Sequence, residues 1–187
     1  ENAVEWIVVA LAVARVGGVL VPLNTRLADA EVAWQVVRAS ASLVIAGDAL
    51  AARLAGGALA ASSAGGAVAP RVVSLSEWAT LRAGHGEAVG GSDDPLRAAA
   101  IVFTSGTTGR PKGAVLTRGN LITSARACAA VLPLAAGDRW LASLPFFHVG
   151  GLGIVQRCLL AGACIVLPQS LSAEGLGDAV DSLGVTH

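Results

Sequence analysis

Apolar residues recur along the chain in two rhythms, one spaced for helices and one gathered into short runs between turn residues. The run AVEWIVVALAVAR predicts a core helix over 3–16, and GGVLVPLN a turn followed by a short buried strand. Asp29 is placed to cap a helix over 30–39, in which Val32, Val36 and Val37 repeat at helical spacing. SLVIAGD predicts a strand at 42–46, and the Gly-, Ala- and Ser-rich stretch 55–70 a loose connection or a weak helix with a loop. RVVSL reads as a further strand and EAVGGSDDP as a loop. AAAIVF predicts a buried strand that delivers the chain into a Gly-rich turn, with AVLT as its return. An amphipathic helix is expected at 119–132, a strand at RWLASLP, a helix at 151–161 and a strand at CIVLP. Ser172 is expected to cap a last helix with Leu176, Ala179, Val180 and Leu183 on one face. Strands alternating with helices, without an internal repeat, imply an α/β fold of layered, largely parallel sheets with flanking helices.

Composition alters this picture in one respect. Only 14% of the residues are charged, against 54% hydrophobic, where a soluble domain averages about 25% charged. So few charges leave much of the surface to be covered by something else. With no Met and with Glu at position 1, an incomplete reading frame is expected. Thirteen basic and thirteen acidic residues cancel, and no basic run exists, which excludes a dedicated binder of nucleic acid or of anionic membranes. The N-terminal apolar run carries Glu5 and Arg15 and breaks at Gly17, Gly18 and Pro22, so it predicts no membrane span. It also lacks the basic start of a signal peptide.

Cys128, Cys158 and Cys164 are an odd set without a CxxC pair, so neither a zinc site nor a disulfide framework is expected. Cys128 falls on a helical stripe with Leu121, Ala125 and Leu132, which predicts a buried, reduced thiol, as in a cytoplasmic protein. Trp6, Trp34 and Trp78 read as packing residues, and His85 and His187 carry no assigned role.

The chemistry gathers in IVFTSGTTGRPKGAVLT, residues 101–117. Gly106, Gly109 and Gly113 let backbone N–H groups turn toward an anion with no side chains in the way. Thr104, Ser105, Thr107 and Thr108 add hydroxyl donors, and Lys112, the only lysine in the chain, adds a compact mobile cation. Together they describe a cradle for a polyphosphate. It is not a Walker-type loop, because Pro111 stands where the second glycine belongs and Gly113 where a hydroxyl belongs. Nor is it a nucleophile elbow, since Phe103 takes the place of that motif's first glycine.

TSGTTGRPKG resembles the phosphate-binding signature of the adenylate-forming enzymes, a family of acyl-CoA synthetases, luciferases and peptide-synthetase adenylation domains. GGVLVPLNTRLADAEVAWQVVRASASLVI resembles their early region, and LASLPFFHVGGLGIVQRCLLAGACIVL their acyl-pocket segment, so the likeness runs the length of the chain. It implies that Thr104, Ser105, Gly106, Thr107, Thr108, Gly109 and Lys112 hold the β- and γ-phosphates of ATP while a carboxylate attacks the α-phosphorus. Mg2+ would bridge the phosphates, no residue here is assigned as a metal ligand, and CoA would take the acyl group as AMP leaves. His148 on its own reads as a satisfied core histidine. The resemblance places it where the carboxylate meets the α-phosphate. It also gives Gly150 and Gly151 the role of leaving room for the acyl group, where residue type alone makes them the opening of the next helix.

DRWLASLPFFHVGGLGIVQRCLLAGA is similar to the 2-succinylbenzoate–CoA ligase branch, which pairs a Trp before the strand with an arginine in the following helix. Arg157 is that arginine. On a helical wheel it faces away from Leu152, Val155 and Leu159, which predicts either a solvated surface residue or a cation that attracts a dicarboxylate. Arg118 departs from the branch, which often has an aromatic residue there.

The resemblance further implies that residues 1–187 are part of the large N-terminal AMP-binding domain, without the ribose-binding aspartate, the hinge and the small C-terminal domain. This length alone is expected to complete neither half-reaction. A general fatty or aryl acyl-CoA synthetase, a non-catalytic ATP- or phosphate-binding remnant and a structural α/β domain stand as alternatives.

Overall fold

A computed structural model describes residues 2–59, 69–82, 90–91, 93–104 and 111–187. Its helices are α1 (Val4–Arg15), α2 (Asp29–Arg38), α3 (Asp48–Arg53), α4 (Leu75–Arg82), α5 (Arg118–Val131), α6 (Val149–Ala161) and α7 (Ala173–Ser182). Its strands are β1 (Leu43–Ala46), β2 (Arg71–Ser74), β3 (Ala98–Thr104), β4 (Lys112–Thr117), β5 (Arg139–Leu141) and β6 (Cys164–Val166). The strands form pairs β1–β2, β3–β4 and β5–β6. The chain divides into two compact units, one of residues 23–89 with 103–113, the other of residues 1–22, 90–102 and 114–187.

In the smaller unit β1 and β2 run parallel, from Leu43 opposite Arg71 to Ala46 opposite Ser74. Val32, Ala33 and Val36 of α2 bury against Val44, Leu54 and Leu59. The helical spacing of Val32 and Val36 is thus the core face of α2, as expected. Its cap differs from expectation. Ala28 occupies the N-cap position, and its N–H donates to Glu31 Oε2 at 3.1 Å. Asp29 is the first helical residue, where its charge suits the helix dipole, and it accepts from Arg53 Nε at 2.9 Å.

Helices α3 and α4 correspond to no amphipathic run that the sequence displays. They are joined at their starts, because the Asp48 carboxylate accepts hydrogen bonds from Ser76 N and Ser76 Oγ. These bonds hold the Asp48 carboxyl below its usual range. Residues 54–58, at the start of the stretch expected as a loose connection or a weak helix with a loop, continue the helix in a wider turn that kinks at Gly57. Phe103 meets Trp34 edge-on at 6.1 Å, so Trp34 is a packing residue.

In the larger unit the expected GGVLVPLN strand is reduced to one parallel bridge between Leu20 and Ala100. Leu20 N donates to Ala99 O at 2.9 Å, and Ile101 N donates to Leu20 O at 2.8 Å. α1, expected as a core helix, has no fully buried residue. It contributes Trp6, whose ring lies 5.0 Å from that of Phe146. Phe146, Ala142 and Val155 form one buried cluster, with Trp6, Ile7, Ile165 and Leu167 packed on it. Full burial of a side chain such as Phe146 is worth about 1.5–3 kcal/mol. A second cluster joins Ala100 and Val102 of β3 to Leu152 of α6.

β5 and β6 are parallel, with Trp140 opposite Ile165. Residues 186 and 187 also bond to β5, through Thr186 N to Arg139 O at 2.9 Å and Leu141 N to His187 O at 2.9 Å. The expected RWLASLP strand therefore ends at Leu141. Ser172 does cap α7, accepting from Gly175 N at 3.2 Å. On that helix Ala179 is buried and Leu176 half-buried, whereas Val180 and Leu183 are exposed. Cys128 is half-buried and Leu132 exposed, so the expected stripe of α5 is sunk only at Ala125. No described helix is long and apolar enough to cross a membrane.

Candidate functional site

β3 ends at Thr104 and β4 begins at Lys112, so the strand pair brings the two ends of the glycine-rich turn together. The Thr104 hydroxyl donates to the Lys112 carbonyl at 3.4 Å. Both residues are exposed. Ser105, Gly106, Thr107, Thr108 and Gly109 lie outside the described residues. The described residues frame this turn, and Phe103, which directly precedes Thr104, packs on Trp34. β4 passes directly into α5 through a capping box. Thr117 Oγ1 accepts from Asn120 N at 3.1 Å, and Asn120 Oδ1 accepts from Thr117 N at 2.9 Å.

His148 occupies the N-cap position of α6 in an extended conformation and makes no side-chain cap. Its N–H donates to Pro145 O at 3.0 Å, and its carbonyl accepts from Leu152 N at 2.9 Å. The main chain of His148 is thus committed and its ring is not. The imidazole is exposed, leans against Phe147 at 4.4 Å, and has no hydrogen-bond partner among the described residues. It is therefore not the satisfied core histidine that its apolar surroundings suggest.

The glycines after it are explained by packing. A Cβ on Gly151 would meet Pro145 O at 2.2 Å, and one on Gly150 would meet Leu144 Cδ1 at 2.8 Å. The space beside Gly151 is filled by this chain's own backbone. A packing reason for glycine at 151 therefore exists apart from any acyl group.

Asn2 supports the same segment, and no local pattern reveals it. Its side-chain amide donates to Ala142 O at 3.2 Å and Leu144 O at 2.9 Å, while its Oδ1 accepts from Phe146 N at 2.8 Å. One residue thereby fixes the backbone of the turn that leads to His148.

Arg157 is not a freely solvated surface residue. Its Nε is buried without a hydrogen-bond partner among the described residues, and its guanidinium carbon lies 4.6 Å from the Trp140 ring centre. The buried face of α6 includes Ile154 and Cys158 as well as Leu152 and Val155, while Leu159 is exposed. That rotation brings Arg157 to the edge of the interior. A cation over a Trp face gains about 0.5–2 kcal/mol, and an unmade buried hydrogen bond costs about 1–3 kcal/mol. The two are comparable, so the contact with Trp140 offsets the unmade hydrogen bond and leaves the donor capacity of Arg157 unspent among the described residues. It lines a cavity of about 180 Å3 between α5 and α6, with Asn120, Ser124 and Gln156 as the other polar residues.

All three cysteines are free, and burial pushes the Cys158 thiol up to about 11. No group of three His, Cys, Asp or Glu suited to a metal ion occurs among the described residues.

A model of the AMP-binding enzyme family matches residues 1–187. Among curated relatives, the 2-succinylbenzoate–CoA ligase of Bacillus anthracis (strain A0248) is 34% identical over 186 residues, covering all of this chain and 35% of the relative. The enzyme of the same name from a Bacillus cereus strain is 35% identical over 187 residues, again covering 35% of its length. The chain therefore spans about a third of the length of the curated relatives it matches. Among solved structures, ATP-bound MatB from Rhodopseudomonas palustris superposes with a TM-score of 0.82 at 27% identity, over 97% of this chain and 36% of that one. O-succinylbenzoate coenzyme A synthetase (MenE) from Bacillus subtilis, in complex with ATP and magnesium ion, superposes with a TM-score of 0.83 at 25% identity, over 100% of this chain and 37% of that one.

Proposed function

The chain belongs to the AMP-binding enzyme family, and we propose that its protein joins 2-succinylbenzoate to coenzyme A by way of an acyl-adenylate. The observation that carries this reading is the frame of the signature: TSGTTGRPKG begins on the last residue of β3 and ends in β4, and the paired strands are held together at Thr104 and Lys112. The relatives' names support the choice of acid.

In the first half-reaction a carboxylate oxygen attacks the α-phosphorus of ATP, the bond from that phosphorus to the bridging oxygen breaks, and pyrophosphate departs. The hydroxyls and amides of residues 104–109 and the Lys112 ammonium take up the charge that builds on the departing phosphates. His148, exposed and with unengaged ring nitrogens, is assigned to the carboxylate. Arg157 is assigned to the second carboxylate of the acid, its donors being unspent. Gly150 borders the same turn.

In the second half-reaction the CoA sulfur attacks the acyl carbon, the acyl–phosphate bond breaks, AMP leaves, and the thiol proton passes to solvent. The donor set around the loop, hydroxyls and one ammonium, suits phosphate oxygens. Among the described residues no cluster of carboxylates suits a metal ion, so Mg2+ would be held through the ATP phosphates and would neutralise their charge. Residues 1–187 are read as part of the AMP-binding domain. The proposed compartment is the cytoplasm, where three free thiols remain reduced.

The test is the exchange of labelled pyrophosphate into ATP by the whole protein, with and without 2-succinylbenzoate. Exchange that depends on this acid supports the reading. Exchange driven equally by fatty or simple aryl acids would shift it to a general acyl-CoA synthetase, and none with any carboxylate would refute activation altogether.

A further inference from the structure

Among the described residues Arg157 makes no ion pair, its Nε has no acceptor, and its guanidinium lies over Trp140. Trp140 is itself held from two sides. Its backbone is locked in β5 opposite Ile165, and the His187 ring stacks on it at 5.5 Å with an interplanar angle of 23°. Gly153 stands one helical turn before Arg157, and a Cβ there would come within 3.0 Å of Arg157 Nη1. The guanidinium therefore rests between an aromatic face and a helix surface kept bare for it, at the wall of the α5–α6 cavity. The other polar groups of that wall, Asn120, Ser124 and Gln156, are neutral. An arginine already set in this way loses less rotamer freedom when it grips an anion than one that swings in solvent.

We propose that Trp140 is a positioning residue, which holds the Arg157 guanidinium at this cavity for the distal carboxylate of a diacid substrate. The proposal rests on Arg157 being the group that meets that carboxylate. Trp140 touches no reacting atom and acts only through Arg157.

The whole protein is assayed with 2-succinylbenzoate and with 3-benzoylpropanoate, which lacks the ring carboxylate, for Trp140→Leu, Trp140→Phe, Arg157→Ala and the double variant Trp140→Leu/Arg157→Ala. Trp140→Leu is expected to raise the KM for 2-succinylbenzoate, and to lower the preference for diacid over monoacid, by about five- to thirtyfold. The changes in kcat and in the KM for ATP should be much smaller. Trp140→Phe should recover most of the loss, and the double variant should be no worse than Arg157→Ala. The Arg157 Nε–H resonance should carry a ring-current shift that Trp140→Leu removes.

Equal losses toward ATP and both acids, an additive double variant, or an absent ring-current shift would each overturn the proposal. If Arg157→Ala weakens diacid binding and Trp140→Leu does not, the positioning role alone falls. If Arg157→Ala leaves diacid binding unchanged, the assignment of Arg157 falls and Trp140 with it.

Discussion

Gly151 lies so close to Pro145 that a Cβ on it would stand 2.2 Å from the Pro145 carbonyl oxygen. The obstacle is backbone, which cannot swing aside as a side-chain end can. Gly151→Ala should therefore lower stability by about 1–3 kcal/mol, despite the better helix propensity of alanine. At Gly150 the neighbour is Leu144 Cδ1, a movable methyl, so Gly150→Ala should cost clearly less. Urea unfolding of the pair reads the difference, and equal effects would contradict this packing.

Asn2 reaches across the chain to bond Ala142, Leu144 and Phe146. Asn2→Ala leaves those groups to find other partners and should destabilise by about 1–3 kcal/mol. Asn2→Asp should be no better, since it sets a carboxylate against two carbonyl oxygens. Because the clasped turn leads to His148, both variants should also slow adenylate formation, measured as pyrophosphate release from the whole protein.

Lys112 is exposed and makes no ion pair among the described residues, so removing it should leave the melting temperature nearly unchanged. The proposed role predicts a different result for activity. Lys112→Ala should slow ATP–pyrophosphate exchange by about 10- to 1,000-fold. A variant that exchanges at the wild-type rate would remove Lys112 from the phosphate site.

Cys158 is buried, and its thiol is pushed from 9.0 up to about 11. The folded chain thus holds this proton more tightly than the unfolded chain does. The resulting contribution to stability is complete below pH 9 and is lost as pH rises through 11. Urea midpoints should fall across that window, and the fall should shrink in Cys158→Ala. At pH 8, iodoacetamide should label exposed Cys164 well before Cys158, as mass spectrometry would show.

The extent to which the sequence foretells this molecule varies with how local each feature is. The Val32–Val36 face of α2 and the Ser172 cap of α7 were both legible, because each is set by residues three or four positions apart. The same logic misplaced Asp29, since Glu31 reaching back to Ala28 N satisfies the helix start without it. It also grouped Val180 and Leu183 on one face with Leu176 and Ala179, and of these the fold leaves Val180 and Leu183 exposed. Periodicity says which face an element is able to bury, whereas the neighbour that covers it comes from elsewhere in the chain.

The site divides along the same line. The hydroxyls, glycines and lysine of TSGTTGRPKG are contiguous, so the sequence alone determined which donors that stretch offers, and the proposal of a polyphosphate there rests on them. The tertiary structure decided that Arg157 sits over Trp140, seventeen positions earlier in the sequence, with its Nε buried. It decided that Gly151 accommodates a backbone carbonyl, and that Asn2 braces a turn 140 positions away. Local chemistry depends on which residues are neighbours in sequence. Burial, cation–aromatic contact and steric exclusion depend on which are neighbours in space, and only the folded chain sets those distances.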